Sequence, residues 1–274
     1  MKGRTLYLNS LDKALTVEID GDSLSYIEKR DGNMCAIYIP LRQISRAVIF
    51  GNMDIPTDLL AKFSEFDIPV LIITEKQNKP IISISMNYTH MHDNNKLMNI
   101  IGDKKKALAK LFFYYRKLYQ HMTLKIINKG LKLNLNEIED KTYRELISQA
   151  TEKNQSQWET IRTLIHSLFF GYCIDVSIKY LKINPHQGII NQMKSFGFVK
   201  DMLFSLTGEI DYQSILFFNT TKISALRTDE EKLFSTPNIL KIISIFEERI
   251  FFSVNFVREL KNKIVEIERD KDAR

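Results

Sequence analysis

Cysteine is scarce: Cys35 and Cys173 are the chain's two thiols, with no CxxC spacing. That excludes a disulfide framework and a thiolate zinc site, and reads as buried thiols in a reducing cytoplasm. No uninterrupted run of about 18 apolar residues occurs, so no membrane-spanning helix is expected. The first residues, MKGRTLYLNSLDKALTVEIDGD, lack the apolar core and small-residue cleavage site of a signal peptide. Histidine is sparse too. His90 and His92, with Asp93, stand in the polar stretch NYTHMHDNNKLMNI (87–100), which reads as a solvated linker and falls short of a closed zinc site. Acidic residues are missing in one place. Residues 103–132 carry nine basic and one acidic side chain, whereas residues 1–86 carry ten and eleven. That segment's balance of +8 exceeds the formal net charge of +6, so the rest of the chain sums to −2. A basic stripe on a balanced body points to a polyanion partner through phosphate contacts, or to a solvated lysine face.

What is present is apolar and periodic. With 274 residues, 44% of them hydrophobic, the chain can bury one large core or two modest ones. Residues 1–86 read as short strands: Thr5–Leu8, Ala14–Ile19, Leu24–Ile27, Met34–Ile39, Arg46–Gly51, Pro69–Thr74 and Ile81–Ser85. Gly21-Asp22 and Asp31-Gly32 supply hairpin turns. One helix is expected between Pro56 and Asp67, with Leu59, Leu60 and Phe63 on its buried face. Beyond the linker the period changes to helical. Leu108, Phe112, Tyr115, Tyr119 and Ile126 mark a first long helix up to Gly130, with Lys104, Lys106, Lys110 and Lys117 off its apolar face. Phe112, Phe113, Tyr115 and Tyr119 read as core rather than as a base-stacking platform. Residues 136–157 are polar with a weak helical pattern. A helix over Trp158–Leu181 carries His166 as a core or boundary histidine. Asp211–Phe218 reads as a short apolar segment, and a last helix spans Pro237 to about Arg269. The expected class is α+β: a β domain over 1–86, a linker over 87–100 and an α-helical domain over 101–274.

The chemistry centres on INPHQGIINQMKSFGFVKDMLFSL, residues 183–206. Proline excludes the helical conformation from its predecessor, so Asn184-Pro185 ends the preceding helix. Gly188 supplies a turn, and Asp201 and Ser205 share one face of the next helix. Gly171-Tyr172, Pro185, Gly188, Ile189, Ile190 and Asp201 together resemble the CRISPR-associated Cas-one family. In that family a Gly-Tyr helix leads to a Pro/Gly loop, a histidine, and a helix with two acids. Phe50-Gly51, Leu59-Leu60 and Ile68-Pro69-Val70-Leu71 resemble the family's N-terminal domain in order and spacing.

The resemblance implies a metal-dependent endonuclease or integrase of spacer acquisition, using Mg²⁺ or Mn²⁺ for phosphoryl transfer on double-stranded DNA. It also implies a cytoplasmic homodimer through the β domain, association with the small Cas-two protein, and no membrane partner. Asp201 matches the first acid, and Glu152, with Glu145 behind it, matches the family glutamate. Asn191 stands at the histidine position, and Phe204 or Ser205 at the second acid. The catalytic and metal-binding set is therefore Asp201, Glu152 and Asn191, an incomplete one. Lys104, Lys105, Lys106 and Lys110 are the expected DNA contacts. A competent enzyme with differently placed ligands, and a non-enzymatic helical interaction module, are the alternatives.

Overall fold

The computed structural model describes residues 4–11, 16–30, 33–76, 79–85, 104–127, 138–152, 155–191, 195–220 and 234–272. The linker 87–100, with His90, His92 and Asp93, lies outside them. The fold is α+β. Its first part comprises β1 (Arg4–Asn9), β2 (Val17–Asp20), β3 (Ser23–Arg30), β4 (Asn33–Pro40), β5 (Ile44–Phe50), α1 (Thr57–Glu65), β6 (Val70–Lys76) and β7 (Lys79–Ser85). Two sheets result. β2, β3 and β4 form an antiparallel meander, and the other four strands are ordered β1-β5-β6-β7. In the second sheet β1, β5 and β6 are parallel and β7 antiparallel. Gly21 adopts φ +59° in the two-residue turn between Asp20 and Ser23, a conformation that favours glycine. The β3–β4 pair closes at Arg30 and Asn33, as the Asp31-Gly32 signal predicts, although those two residues lie outside the described set.

Strand β5, ISRAVIF, is buried along its whole length, as a central parallel strand covered on both faces must be. Its alternating residues divide between two cores. Ala47 and Ile49 join Leu6, Leu8 and Val70 under Leu59 and Phe63 of α1. Val48 and Phe50, with Leu71 and Ile73 of β6, face the helical part.

That part contains α2 (Lys105–Ile127), α3 (Asp140–Thr151), α4 (Gln155–Asp175) with a π-helical extension (Val176–Leu181), α5 (Gly197–Thr220) and α6 (Thr236–Asp272). Helix α4 lies between the four-stranded sheet and α5, so sheet face and helices share one continuous core. The stretch Gln155–Leu181 is long and apolar enough to cross a membrane by length and composition, although no unbroken apolar run marks it in the sequence. Of its most apolar window 72% is buried within the protein, as for a core helix apolar all round. His166 is half-buried there. Burial and the neighbouring Arg162 push its imidazole down to about 4, so it is neutral at physiological pH.

Two elements depart from the expectation. The weakly patterned 136–157 contains a regular helix, α3, whose Tyr143 and Ile147 are buried. The Asp211–Phe218 segment is not separate; it is the second half of α5. Gly208, inside that helix, serves a contact. A Cβ there would lie 2.3 Å from the Tyr119 carbonyl carbon and 2.4 Å from the Gln120 nitrogen, so α2 and α5 cross backbone against backbone. The Thr123 hydroxyl donates to the Gly208 carbonyl at 2.7 Å across the same crossing. Gly208→Ala must push the helices apart, and a loss of about 3 kcal/mol in unfolding free energy is expected. A urea midpoint equal to the parent's would show the crossing to be loose.

A buried charge cluster ties the sheet to the helices. Arg46 of β5 is 6% exposed. Its guanidinium lies 3.6 Å from Asp175 of α4 and 3.8 Å from Glu247 of α6, near the rings of Tyr172 and Phe246. Lys179 bridges to Asp175 at 3.3 Å and donates to the Ser45 carbonyl.

Candidate functional site around Asp201

The chain leaves α4 through Lys182 in the left-handed region (φ +58°), with the Ile183 N–H on the Ser177 carbonyl. The helix therefore stops before Pro185. Asn184 then closes a turn, its Oδ1 accepting the His186 N–H at 2.9 Å and its carbonyl the Gln187 N–H at 3.2 Å. The loop folds back on the start of α5. The Gly197 N–H donates to the His186 carbonyl, and the Phe198 N–H to that of Pro185. His186 stacks on Phe196, and its Nδ1 accepts the Phe196 N–H at 3.2 Å. Gly188 and Gly197 sit against each other. A Cβ on Gly197 would come within 2.6 Å of the Gly188 nitrogen, so both positions require glycine for close approach.

This closure carries residues 189–191 onto Asp201, in the first turns of α5. The Asp201 carboxylate is fully buried. Its Oδ2 accepts the N–H groups of Ile189 (2.5 Å) and Ile190 (3.0 Å). Its Oδ1 accepts the Asn191 N–H (3.0 Å) and Nδ2 (2.7 Å). Four donors thus fill a carboxylate that accepts about four hydrogen bonds. Asp201 and Asn191 are brought together, as the resemblance implies, but Asn191 acts as a donor to the acid.

The second acidic position is occupied by other chemistry. Phe204 lies under the Arg116 guanidinium, whose carbon is 4.2 Å from the ring centroid, with Phe113 edge-on at 5.0 Å. Arg116 Nη1 also donates to the Phe204 carbonyl (3.1 Å) and to Thr207 Oγ1 (3.0 Å), and Nε to Asp140 Oδ1 (3.1 Å). Burial pushes the Asp140 carboxyl up, but Gln120 and Arg116 outweigh it and hold the group below the ordinary carboxylate range. Ser205 is buried and donates to the Phe112 carbonyl at 3.1 Å. Glu152 and Glu145 are exposed at the end and on the outer side of α3. Among the described residues, no hydrogen bond or ion pair joins either to Asp201. No group of three His, Cys, Asp or Glu side chains among the described residues could hold a metal ion. Filled by its four donors, the Asp201 carboxylate as placed offers a divalent cation no open oxygen.

The expected DNA contacts lie at the start of α2: Lys106 and Lys110 are exposed, Lys104 and Lys105 half-buried. From Lys104 to Ile127 the chain carries no acid. Phe112, Tyr115 and Tyr119 are buried as expected. Phe113 is not; it is 49% exposed beside Tyr114 at 52%.

Three polar groupings within the helical part escaped sequence reasoning, in addition to the Arg46 cluster. Besides Arg116, they are Asp211 with Arg162 and Tyr143, and Glu209 with Arg249. Glu209 is buried and receives Arg249 Nε at 2.7 Å and Nη2 at 2.9 Å. Asp211 accepts Arg162 Nε at 2.5 Å and the Tyr143 hydroxyl at 2.8 Å. The available signal was the pair of carboxylates inside an otherwise apolar helix, TGEIDYQSILFF, since a buried acid requires a cationic or donor partner.

No protein-family model matches the chain, and no curated protein matches its sequence. Solved structures do match its fold. A casposase bound to integration product superposes with a TM-score of 0.63 at 12% identity, over 95% of this chain and 91% of that one. The complex of TtCas1 with DNA gives 0.58 at 10% identity, over 96% and 91%. A Cas6-RT-Cas1–Cas2 complex gives 0.58 at 13% identity, over 97% of this chain and 35% of that one. These superpositions show the fold alone: the chain has the Cas1 fold, shared with the casposase.

Proposed function

We propose that this protein is a Cas1-like DNA-binding protein of spacer acquisition whose metal site has become a structural one. The observation that carries the reading is the Asp201 carboxylate, fully buried and committed to four donors of residues 189–191. At the second acid position stand Phe204 and a stacked guanidinium, so the local charge has the wrong sign for a cation. Mg²⁺ or Mn²⁺ is then not a working cofactor, and Glu152 and Asn191 have no catalytic part. Double-stranded DNA remains the partner, met by Lys104, Lys105, Lys106 and Lys110 on the acid-free α2. Association with a Cas2 protein follows by likeness to the Cas6-RT-Cas1–Cas2 complex. Homodimerisation through the β region is favoured by the apolar side chains on the β3–β4 hairpin: Ile27, Met34 and Tyr38 are 58%, 70% and 60% exposed. A cytoplasmic location fits this role.

Duplex binding, followed by fluorescence anisotropy across a salt series, should be tolerant of sequence and should weaken steeply as salt rises. Changing Lys104, Lys105 and Lys106 together to alanine should lower the slope of log affinity against log salt by about 2 to 3. An unchanged slope would make the cluster a solvated face. Cleavage and half-site integration with Mg²⁺ or Mn²⁺ should stay at background. Robust activity abolished by Asp201→Ala would overturn the structural reading of the site. Sedimentation as a monomer at micromolar concentration would remove the dimer from the proposal.

A further inference from the structure

Outside the Asp201 loop, the four helices α2, α3, α4 and α5 enclose an open cavity of about 460 Å³. Three arginines line it, Arg116, Arg144 and Arg162, against a single carboxylate, Asp211. That carboxylate is paired, with Arg162 Nε on one oxygen and the Tyr143 hydroxyl on the other. Burial raises the Asp211 carboxyl above its ordinary range, a push that Arg162 and Tyr143 oppose. The arginines differ in how far they are spent. Arg116 is consumed by Asp140, the Phe204 carbonyl and Thr207. Arg144 uses its Nε on the Asp140 carbonyl one helical turn back, at 3.2 Å, and Arg162 its Nε on Asp211. Each of these two therefore keeps both terminal nitrogens uncommitted among the described residues. Trp158 supplies the aromatic wall, with the Arg162 guanidinium carbon 5.5 Å from its ring centroid.

We propose that this cavity binds a phosphate monoester carried on a nucleoside: a mononucleotide, free or as the phosphorylated end of a DNA strand. Guanidinium forks match phosphate oxygens in geometry and charge. Asp140 and Asp211 offset two of the three guanidinium groups, so Arg144 is the cation in excess. The uncommitted terminal nitrogens of Arg144 and Arg162 suit a monoester, which offers three terminal oxygens where an internal diester offers two. An aromatic wall beside a phosphate site suits a base, since every base has a face to stack. The cavity is of a size that holds small ligands. The assignment does not rest on the duplex-binding reading, since it concerns a different surface and a ligand that needs no duplex.

Trp158 is the chain's single tryptophan, so its emission reports on this cavity alone. The full chain is titrated with inorganic phosphate, a deoxynucleoside 5′-monophosphate, the matching nucleoside, and one oligonucleotide with and without a 5′-phosphate. Calorimetry accompanies each titration. A saturable response to the monophosphate, with none to the nucleoside, is expected. Arg144→Ala should weaken it about tenfold, and Arg144→Lys less. Arg144 is exposed and bonds only its own helix, so its thermal midpoint is expected to stay at the parent's. A preference for the 5′-phosphorylated oligonucleotide over the mononucleotide assigns the phosphate to a strand end; the reverse assigns it to a free nucleotide. Absence of any saturable response to the phosphorylated ligands overturns the proposal, as does a response that Arg144→Ala leaves unchanged.

Discussion

Replacing Asp201 with alanine is expected to lower the unfolding free energy by about 4 kcal/mol, as much in a chelator as in magnesium. The carboxylate accepts three backbone N–H groups and one side-chain amide from residues 189–191. Hydrogen bonds to a charged acceptor contribute about 1.5 to 3 kcal/mol each, and neighbours of this kind do not add fully. Ile189 is buried, so its N–H would lose its partner without gaining water, whereas Ile190 and Asn191 can be partly resolvated. That limits the loss to less than the sum. Asp201→Asn should fall between the two, because an amide presents donors where two loop amides need an acceptor. Urea denaturation of the three proteins, with and without Mg²⁺, measures this. A carboxylate kept for a metal ion gives a different pattern: the alanine variant would match the parent in chelator, and Mg²⁺ would stabilise only the parent. That result would exclude the structural role.

The second large effect is expected at Arg46. Arg46→Met keeps most of the volume and removes the charge, leaving Asp175 buried with Lys179 as its remaining cationic partner. Breaking a buried ion pair from one side costs about 3 to 5 kcal/mol, and the lower part of that range is expected because Lys179 stays. Burial already holds the Asp175 carboxyl above its ordinary range, against the pull of Lys179 and Arg46. Removing Arg46 raises it further. A carboxyl whose folded pKa exceeds its unfolded one favours the folded state at low pH and loses that benefit as pH rises. The deficit of Arg46→Met relative to the parent should therefore be smaller at pH 5 than at pH 8. The double variant Arg46→Met, Asp175→Leu should recover part of the loss, because no buried anion is left unpaired. Equal deficits at both pH values, with strict additivity in the double variant, would show that Arg46 acts through packing alone.

Most of the secondary structure was legible in the chain, because its signals are local. Alternation over a few residues, Asp31-Gly32 between two β-rich runs, and apolar residues three and four apart all act between near neighbours. Hence β1 to β7, α1, α2, α4 and α6 lie within a few residues of where sequence places them. At Gly208 tertiary packing outweighs low helix propensity: α5 crosses α2 through a residue without a Cβ, and the helix stays whole.

The site was legible in position and not in chemistry. Residues 183–206 announce a turn, two glycines and a helix with one acid, and the structure has all of these. What the acid does depends on Gly188 meeting Gly197, which carries three amides onto Asp201. Arg116 reaches Phe204 from far upstream in the chain, and Arg46 meets Asp175 and Glu247 only once sheet and helices have packed. The amino-acid sequence alone determined the strands, helices, turns and the place of the lone carboxylate, through interactions spanning a few residues. Whether that carboxylate faces a cation or its own backbone was decided by tertiary packing, because the donors that fill it converge only when the loop closes on α5.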